Sequence, residues 1–329
     1  MKNKRVGIRE IAKLSGVSVA TVSRVINTPE LTSEDVRKKV NAVIREYNYV
    51  PNLMAKSLFS KEYNSLAVFV LDLENPFFVS LVKELNKIAF QHKQTLIICD
   101  TENNPKKEQE YLRYCEAIRV KGIIITEGLT NSSLYDSNMN QKLVFLDRKV
   151  NSKFTTVRSD SLTGITKAID YLYNLNHRLF GFVGSTDNLS LTSVEERSKT
   201  FNEALINKGI DVNPNFMFKG SLSTKTGAKA LDYYCSLSTP PTAVLCANDQ
   251  IAYGFIARAY ALGIKIPEDF SIIGFDGCSS GFLYPKLTTI RQNIPKLAQE
   301  LYDAIHSDEK PKEKVVDVSL SLGDTCRML

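Results

Sequence analysis

The chain has 329 residues, of which 43% are hydrophobic and 24% are charged. These proportions are typical of a folded protein, and the length exceeds one ordinary core, so we expect two or three compact units. No run approaches the roughly 18 apolar residues of a membrane span, and no apolar stretch follows the charged N-terminus as in a signal peptide. We therefore expect a cytoplasmic protein without a membrane partner.

Cysteine and histidine usage argues against a metal centre. The six cysteines are scattered without a C-x-x-C pair, and the three histidines lie far apart in sequence. Scattered thiols in a reducing compartment indicate neither disulfides nor zinc ligands. We expect no metal and no cofactor.

The positive charge is concentrated at the start of the chain. Residues 1–61 contain 12 Lys and Arg against five Asp and Glu, whereas the remainder contains 30 against 31. A basic head on a nearly neutral body indicates that the head alone binds a polyanion. A basic face that is merely solvated is the alternative interpretation.

The head is predicted to be a small helical module. The first helix has Ile8, Ile11, Ala12 and Leu14 on one face and ends at Gly16. A second helix follows the N-cap Ser18, with an inward face made by Val22, Val25 and Ile26. A third amphipathic helix runs from about residue 32 to residue 47. Two short helices joined by a Gly-containing turn indicate a helix-turn-helix unit over residues 1–50.

The outward face of the second helix has side chains suited to DNA. Arg24 can donate two hydrogen bonds to guanine, and Val19 and Ala20 can contact a thymine methyl group. Hydroxyl and amide groups on the same helix suit phosphate oxygens. The predicted DNA-binding residues of this helix are Ser18, Val19, Ala20, Thr21, Ser23, Arg24 and Asn27.

A short linker follows at residues 51–61. Pro51 ends the third helix, and residues 52–59 are long enough for only one or two helical turns. A helix this short is marginally stable alone because nucleation is costly.

The body alternates strands and helices from residue 65 onward. Seven apolar runs, among them SLAVFVLD, GIIIT and SIIGFD, are separated by amphipathic segments. This rhythm predicts parallel sheets covered on both faces, arranged as two doubly wound lobes. Ligands of such sheets bind at the carboxyl ends of the strands. Polar residues follow several strands: Asp72, Asp160, Asn248 and Asp276.

These stretches together resemble one family. IREIAKLSGVSVATVSRVIN and YNYVPNLMAKSL, followed by NPFF, VKGIII, LDR, AND, IIGFD and LTTIRQN, are similar to the lactose-repressor (LacI/GalR) family of bacterial transcription regulators. The resemblance covers nearly the whole chain. It implies a homodimeric repressor that binds a palindromic operator in double-stranded DNA, with a body like periplasmic sugar-binding proteins and a small-molecule effector between its lobes.

The resemblance also assigns roles to particular residues. In residues 51–61 it implies a hinge helix that enters the minor groove through Asn52, Ala55, Lys56 and Leu58. In the body, 62–329, it implies one lobe of roughly 62–160 plus 292–320 and another of roughly 161–291 plus 321–329. The effector-binding residues to which the resemblance points are Phe77, Phe78, Asp160, Arg197, Leu222, Asn248 and Asp276, and the strand-end position adds Asp72. Leu222 departs from the family pattern, which tends to have an aromatic residue there.

The residues also bear on the effector and on competing functions. Arg197 offers donors and the carboxylates offer acceptors, so a sugar or sugar derivative is the first expectation and a nucleoside or nucleobase the second. For Asp160 and Asp276 the alternative is a helix cap, and for Arg197 a surface charge. The chain has no G-x-G-x-x-G, Walker A or G-x-S-x-G motif, so no enzyme is predicted. A cytosolic sugar-binding protein or enzyme without DNA function is the remaining alternative.

Overall fold

The computed structural model describes residues 6–50, 64–126, 135, 141–148, 153–185, 192–278 and 284–329. The chain divides into two compact units, Met1–Glu62 and Tyr63–Leu329. Each unit has its own hydrophobic core. We call them the head and the body.

The head contains three helices, α1 (Ile8–Ser15), α2 (Val19–Asn27) and α3 (Glu34–Glu46). Gly16 ends α1 with φ of 63°, a left-handed conformation that glycine adopts without strain. The Ser18 hydroxyl caps α2 by accepting a 3.0 Å hydrogen bond from the Thr21 amide. The helices enclose a small core of Ile11, Ala12, Val22, Val25 and Val40.

The prediction that Leu14 belongs to the core of the head is wrong. Leu14 is 44% exposed, and Ser15 is buried in its place. The buried face of α1 is centred on Ile11, Ala12 and Ser15, and at about 100° per residue Leu14 lies outside it. The apolar spacing therefore predicted the helix but misjudged the direction of one side chain.

The first lobe of the body is built from a run of alternating strands and helices. The run comprises β1 (Ser65–Val70), α4 (Pro76–Gln91), β2 (Thr95–Asp100), α5 (Pro105–Ala117), β3 (Gly122–Thr126), β4 (Lys142–Leu146) and β5 (Thr155–Ser159). All five residues of β3 are buried, as expected for a central strand with helices on both faces.

The second lobe repeats this pattern. It comprises α6 (Ser161–Asn174), β6 (Phe180–Ser185), α7 (Thr192–Asn207), β7 (Met217–Gly220), α8 (Thr224–Cys235), β8 (Ala243–Cys246), α9 (Asp249–Leu262), β9 (Ser271–Asp276) and β10 (Thr288–Gln292). Helices α8 and α9 are in backbone contact at two glycines. A Cβ atom on Gly227 would lie 1.9 Å from the Ile251 carbonyl oxygen, and one on Gly254 would lie 1.9 Å from that of Thr224.

The C-terminal segment contributes to both lobes. Helix α10 (Ile294–His306) and β11 (Glu313–Val316) belong to the first lobe, and β12 (Val318–Ser321) belongs to the second. The first sheet has the order β11-β5-β4-β3-β1-β2 and is parallel throughout. The second has the order β12-β10-β9-β8-β6-β7, with only β12 antiparallel among its described pairings.

The chain thus crosses between the lobes three times, after Ser159, after Gln292 and at Asp317. The third crossing corrects the predicted boundary after residue 320. Strand β12 pairs with β10 from Val318 opposite Gln292 to Ser321 opposite Thr289, so residues 318–320 belong to the second lobe. The predicted doubly wound architecture is confirmed.

Candidate DNA-binding surface and effector cleft

The outward face of α2 presents the residues predicted to bind DNA. Val19 is 41% exposed, and Ala20, Arg24 and Asn27 are also exposed. Among the described residues, no carboxylate forms an ion pair with Arg24. Its guanidinium is therefore free to contact an external anion or a base edge.

The polar side chains of α2 are ordered by contacts with one another. The Ser18 and Thr21 hydroxyls lie 2.8 Å apart, and the Asn27 side-chain amide donates to the Ser23 hydroxyl at 3.2 Å. These hydroxyl oxygens remain at the surface. The predicted hinge residues Asn52, Ala55, Lys56 and Leu58 lie outside the described residues.

A cleft of about 520 Å³, including its open mouth, lies between the two lobes of the body. Residues from the carboxyl ends of several strands meet there, as expected for parallel sheets. The lining residues are Leu71, Asp72, Asn75, Phe77, Phe78, Leu146, Asp147, Arg197, Leu222, Asn248, Asp276 and Gln292.

The structure brings together all but one of the residues that were predicted to contact the effector. Asp160 is the exception, because it does not line the cleft. Its carboxylate accepts a 3.1 Å hydrogen bond from the Thr163 amide and caps α6. Asp160 is therefore a helix cap, which was the alternative expected for it from the sequence.

Arg197 on α7 is the main donor in the cleft. It is only 5% exposed, and its guanidinium carbon lies 3.7 Å from the centre of the Phe275 ring. Its Nη1 donates to the Ala247 carbonyl oxygen at 2.7 Å, which fixes the plane of the group. Its Nε is buried without a hydrogen-bond partner in the described part of the chain. A buried donor without a partner is costly unless a ligand satisfies it.

Two carboxylates lie on opposite lobes of the cleft. Asp147 follows β4 in the first lobe, with φ of 53°, and accepts a 3.0 Å hydrogen bond from the Ser159 amide. Burial raises the pKa of the Asp147 carboxyl group, although the charge of Arg197 opposes this shift. Asp276 ends β9 in the second lobe, with φ of 121°, and accepts a 2.7 Å hydrogen bond from the Gln292 side-chain amide. Such backbone conformations occur often at binding sites.

Asn248 and Asp72 have structural roles as well as a place in the cleft. The Asn248 side-chain oxygen caps α9 through the Ile251 amide at 2.9 Å, and its amide group donates to the Leu222 carbonyl oxygen at 3.4 Å. The Asp72 carboxylate accepts a 2.7 Å hydrogen bond from the Glu74 amide. Each side chain is therefore held in one orientation at the cleft.

The apolar part of the cleft comes from both lobes. Phe77 and Phe78 lie in the first turn of α4, are both 5% exposed and pack edge to face with ring centres 5.3 Å apart. Leu222 is half-buried and lies on the second lobe. The cleft therefore combines an aromatic surface with an aliphatic surface, not with a second aromatic ring.

Asp147 and Gln292 line the cleft but were not predicted to do so. Asp147 directly follows the apolar run LVFL, the same signal that identified Asp72 and Asp276. Gln292 ends β10, whose sequence TTIRQ lacks the continuous apolar run used to recognise strands.

Within the described residues, no helix is long and apolar enough to cross a membrane.

Comparisons with known proteins agree with this geometry. Residues 7–52 match the family described as bacterial regulatory proteins, lacI family, and residues 169–326 match a periplasmic binding protein-like domain. An HTH-type transcriptional repressor PurR of Pasteurella multocida is 31% identical over 318 residues, 94% of each chain. Another PurR repressor, from Photobacterium profundum, is 29% identical over 310 residues, 93% of this chain and 92% of that one.

Among solved structures, the fold matches a lac repressor dimer bound to operator and the anti-inducer ONPF. The TM-score is 0.87 at 24% identity, with 98% of this chain and 100% of that chain covered. A LacI family regulator from Enterococcus faecium with bound ribose has a TM-score of 0.73 at 24% identity, covering 80% of this chain and 99% of that one. These structures support the fold.

A helix-turn-helix head joined to a body of the periplasmic-binding type defines a class of ligand-controlled DNA-binding proteins. The chain belongs to the LacI family of bacterial regulatory proteins and is a DNA-binding transcriptional repressor, not an enzyme.

Proposed function

We propose that a small molecule in the cleft controls the affinity of this repressor for its operator, and that this molecule is a nucleoside or nucleobase. The observation that carries the proposal is Arg197, a buried guanidinium stacked on Phe275 whose Nε has no partner among the described residues. Such a group is suited to a ligand that supplies an acceptor.

The chemistry of the cleft suits a flat ring with polar edges. Phe77, Phe78 and Leu222 supply apolar contact area, Arg197 donates, and Asp147 and Asp276 accept. A nucleobase has two apolar faces and an edge on which donors and acceptors alternate. The likeness to repressors named PurR supports this class over the sugar class preferred from the sequence.

A sugar is the second candidate because of the number of carboxylates. Asp72, Asp147 and Asp276 all line the cleft, and adjacent sugar hydroxyls can donate to such groups. Leu222 also replaces an aromatic ring that would stack on a base. The proposal therefore ranks the two classes and requires a test that separates them.

The first experiment is a calorimetric and thermal-shift screen of the full chain against nucleobases, nucleosides and sugars. A hit among nucleobases or nucleosides is expected, and Arg197→Ala should abolish it. Lys199→Ala, on the same helix but 78% exposed, is the matched control and should bind like the parent. If a hit binds Arg197→Ala as tightly as it binds the parent, the effector does not bind in the proposed cleft. If the only hits are sugars, the proposal that the effector is a nucleobase or nucleoside is wrong.

We also propose that two copies of the chain bind a palindromic operator. In the body, β2 lies at the edge of its sheet, and the segments around it have exposed apolar residues, namely Val79, Phe90, Ile98 and Tyr114. A second copy would cover such residues, and a two-fold dimer would present α2 twice. Sedimentation with and without DNA selected from a random pool tests this, and a monomer on a non-palindromic site contradicts it.

A further inference from the structure

Two of the three points where the chain crosses between the lobes are joined by a buried hydrogen bond. Ser159 ends β5 just before the first crossing, and Gln292 ends β10 just before the second. The Ser159 hydroxyl donates to the Gln292 side-chain oxygen at 2.5 Å, and the two residues are 1% and 3% exposed. Water cannot easily replace a bond at this depth.

This bond continues on both sides to a carboxylate of the cleft. The Ser159 amide donates to Asp147 in the first lobe at 3.0 Å. The Gln292 amide nitrogen donates to Asp276 in the second lobe at 2.7 Å. Asp147, Ser159, Gln292 and Asp276 thus form a continuous hydrogen-bonded line, which we call the crossing relay.

The relay has a fixed direction. The Gln292 side-chain oxygen accepts from the Ser159 hydroxyl, so the Gln292 side-chain nitrogen faces Asp276. This orientation suits Asp276, because an ionised carboxylate accepts hydrogen bonds and cannot donate them. Asp276 also has a φ of 121°, a conformation that persists only when neighbouring groups hold it. The Ser159 hydroxyl therefore determines which end of the Gln292 amide supports Asp276.

A second hydrogen bond between the lobes lies at the surface. The Gln250 side-chain amide donates to the Glu74 carbonyl oxygen at 3.0 Å, and this contact is exposed. Water competes with such a bond, so it holds the lobes weakly. The relay, by contrast, is buried, and both of its ends line the cleft.

We infer that Ser159 and Gln292 are positioning residues that link the orientation of the two lobes to the arrangement of Asp147 and Asp276, and thereby set operator affinity. A ligand that binds Asp147 or Asp276 competes for the hydrogen bonds that these carboxylates accept within the relay. Because the relay lies where the chain crosses between the lobes, a change in its hydrogen bonds alters the preferred orientation of the lobes. This inference rests on the proposed regulatory role of the cleft.

The test measures operator affinity without any effector, on DNA that the protein selects from a random pool. Ser159→Ala, Gln292→Ala and the double variant are compared with the parent. Each single variant should change operator affinity at least three-fold, both in the same direction, and the double variant should change it no further than the larger single effect. Non-additivity is expected because both substitutions break one line of bonds.

The matched control is Ser271→Ala. Ser271 is also fully buried, and its hydroxyl accepts a 3.1 Å hydrogen bond from the Arg327 amide at the far end of β9 from Asp276. This substitution should lower the urea midpoint of unfolding while leaving operator affinity within two-fold of the parent. A merely structural role for Ser159 predicts the same behaviour as Ser271.

A further variant guards against a folding defect. Gln292→Glu keeps an acceptor for Ser159 but places a carboxyl group against Asp276, in a cleft also lined by Asp147 and Arg197. Its operator affinity relative to the parent should change between pH 6 and 8, since only the protonated group can donate to Asp276. Any of three results overturns the inference. The effects of the two single variants are additive, Ser271→Ala changes operator affinity as much as they do, or the relay variants leave operator affinity unchanged. A failed effector screen does not affect this outcome, because no effector is present.

Discussion

The residues proposed to bind DNA and effector lie in opposite environments in the head and the body. On the head, Arg24 and its neighbours are exposed and surround a small core. In the body, Arg197 and Asp276 are each 5% exposed and Asn248 is 2% exposed. The head can therefore exchange a functional side chain with little effect on folding. In the body the candidate residues Asn248 and Asp276 also make internal hydrogen bonds, because a buried polar group is costly unless it is satisfied.

The largest expected effect is a loss of stability in the body. Gly227→Ala would place a Cβ atom 1.9 Å from the Ile251 carbonyl oxygen and force α8 away from α9. We expect a loss of about 3 kcal/mol or more in the free energy of unfolding of the body, measured by circular dichroism in urea.

Gly209→Ala is the control for this substitution, because a Cβ atom there meets nothing within 4 Å and only the left-handed φ of 69° opposes it. It should cost about 1 kcal/mol. Equal losses in the two variants would show that the helix contact is not tight.

The second prediction removes function from the head without affecting its fold. Arg24→Ala should weaken binding to the selected operator by about 1–3 kcal/mol and to random DNA only slightly, because a guanidinium that reads a base adds selectivity. Arg45→Ala removes one exposed charge from α3 and should reduce both affinities equally. Fluorescence anisotropy measures the affinity of each variant for both DNAs. If Arg24→Ala weakens binding to both DNAs equally, Arg24 contacts a phosphate and not a base.

The third prediction concerns the buried carboxylate of Asp249, which follows the cleft residue Asn248 in the sequence. Asp249 accepts hydrogen bonds from the Thr289 hydroxyl at 2.6 Å and the Cys278 amide at 2.9 Å, and burial raises its pKa to about 7 from 3.8. The folded state therefore binds this proton more tightly than the unfolded state. The stability that Asp249 contributes is full below about pH 4 and is lost as the pH rises through 7.

Urea unfolding from pH 5 to 8 measures this loss, which we expect to be about 1 kcal/mol per pH unit below pH 7. Asp249→Asn should remove that slope. Asp211→Asn, which changes an exposed aspartate, should retain it. A parent and an Asp249→Asn variant with the same pH dependence would show that Asp249 is ionised throughout the range.

The smallest effect is expected at the surface of the head. Lys38 and Glu34 form a 2.8 Å ion pair one turn apart on α3, with side chains 73% and 71% exposed. Lys38→Ala should change the unfolding free energy by less than about 0.5 kcal/mol, since solvent screens such pairs. A loss above about 1 kcal/mol in thermal unfolding would contradict the contrast between the two regions.

The accuracy of the sequence predictions follows the same contrast. The helical period of the head separated Val22 and Val25, which are buried, from Val19 and Arg24, which are exposed. In the body, a polar residue after a strand identified Asp72 and Asp276, but the same signal also selected Asp160, which caps a helix. Asp147 has the same signal in the sequence and does line the cleft. A strand-end carboxylate is thus recognisable from sequence, whereas its partner is not.

The sequence by itself determined the helix-turn-helix head, the two doubly wound lobes and most residues of the cleft, because periodicity and strand ends are local properties of the chain. Only the tertiary structure decided that the last crossing lies at Asp317, that Gln292 faces Asp276 and that burial raises the pKa of Asp249. These features depend on residues far apart in the chain, such as Ser159 and Gln292, which are 133 positions apart. Contacts of that kind arise from the packing of whole elements, so no local pattern contains them.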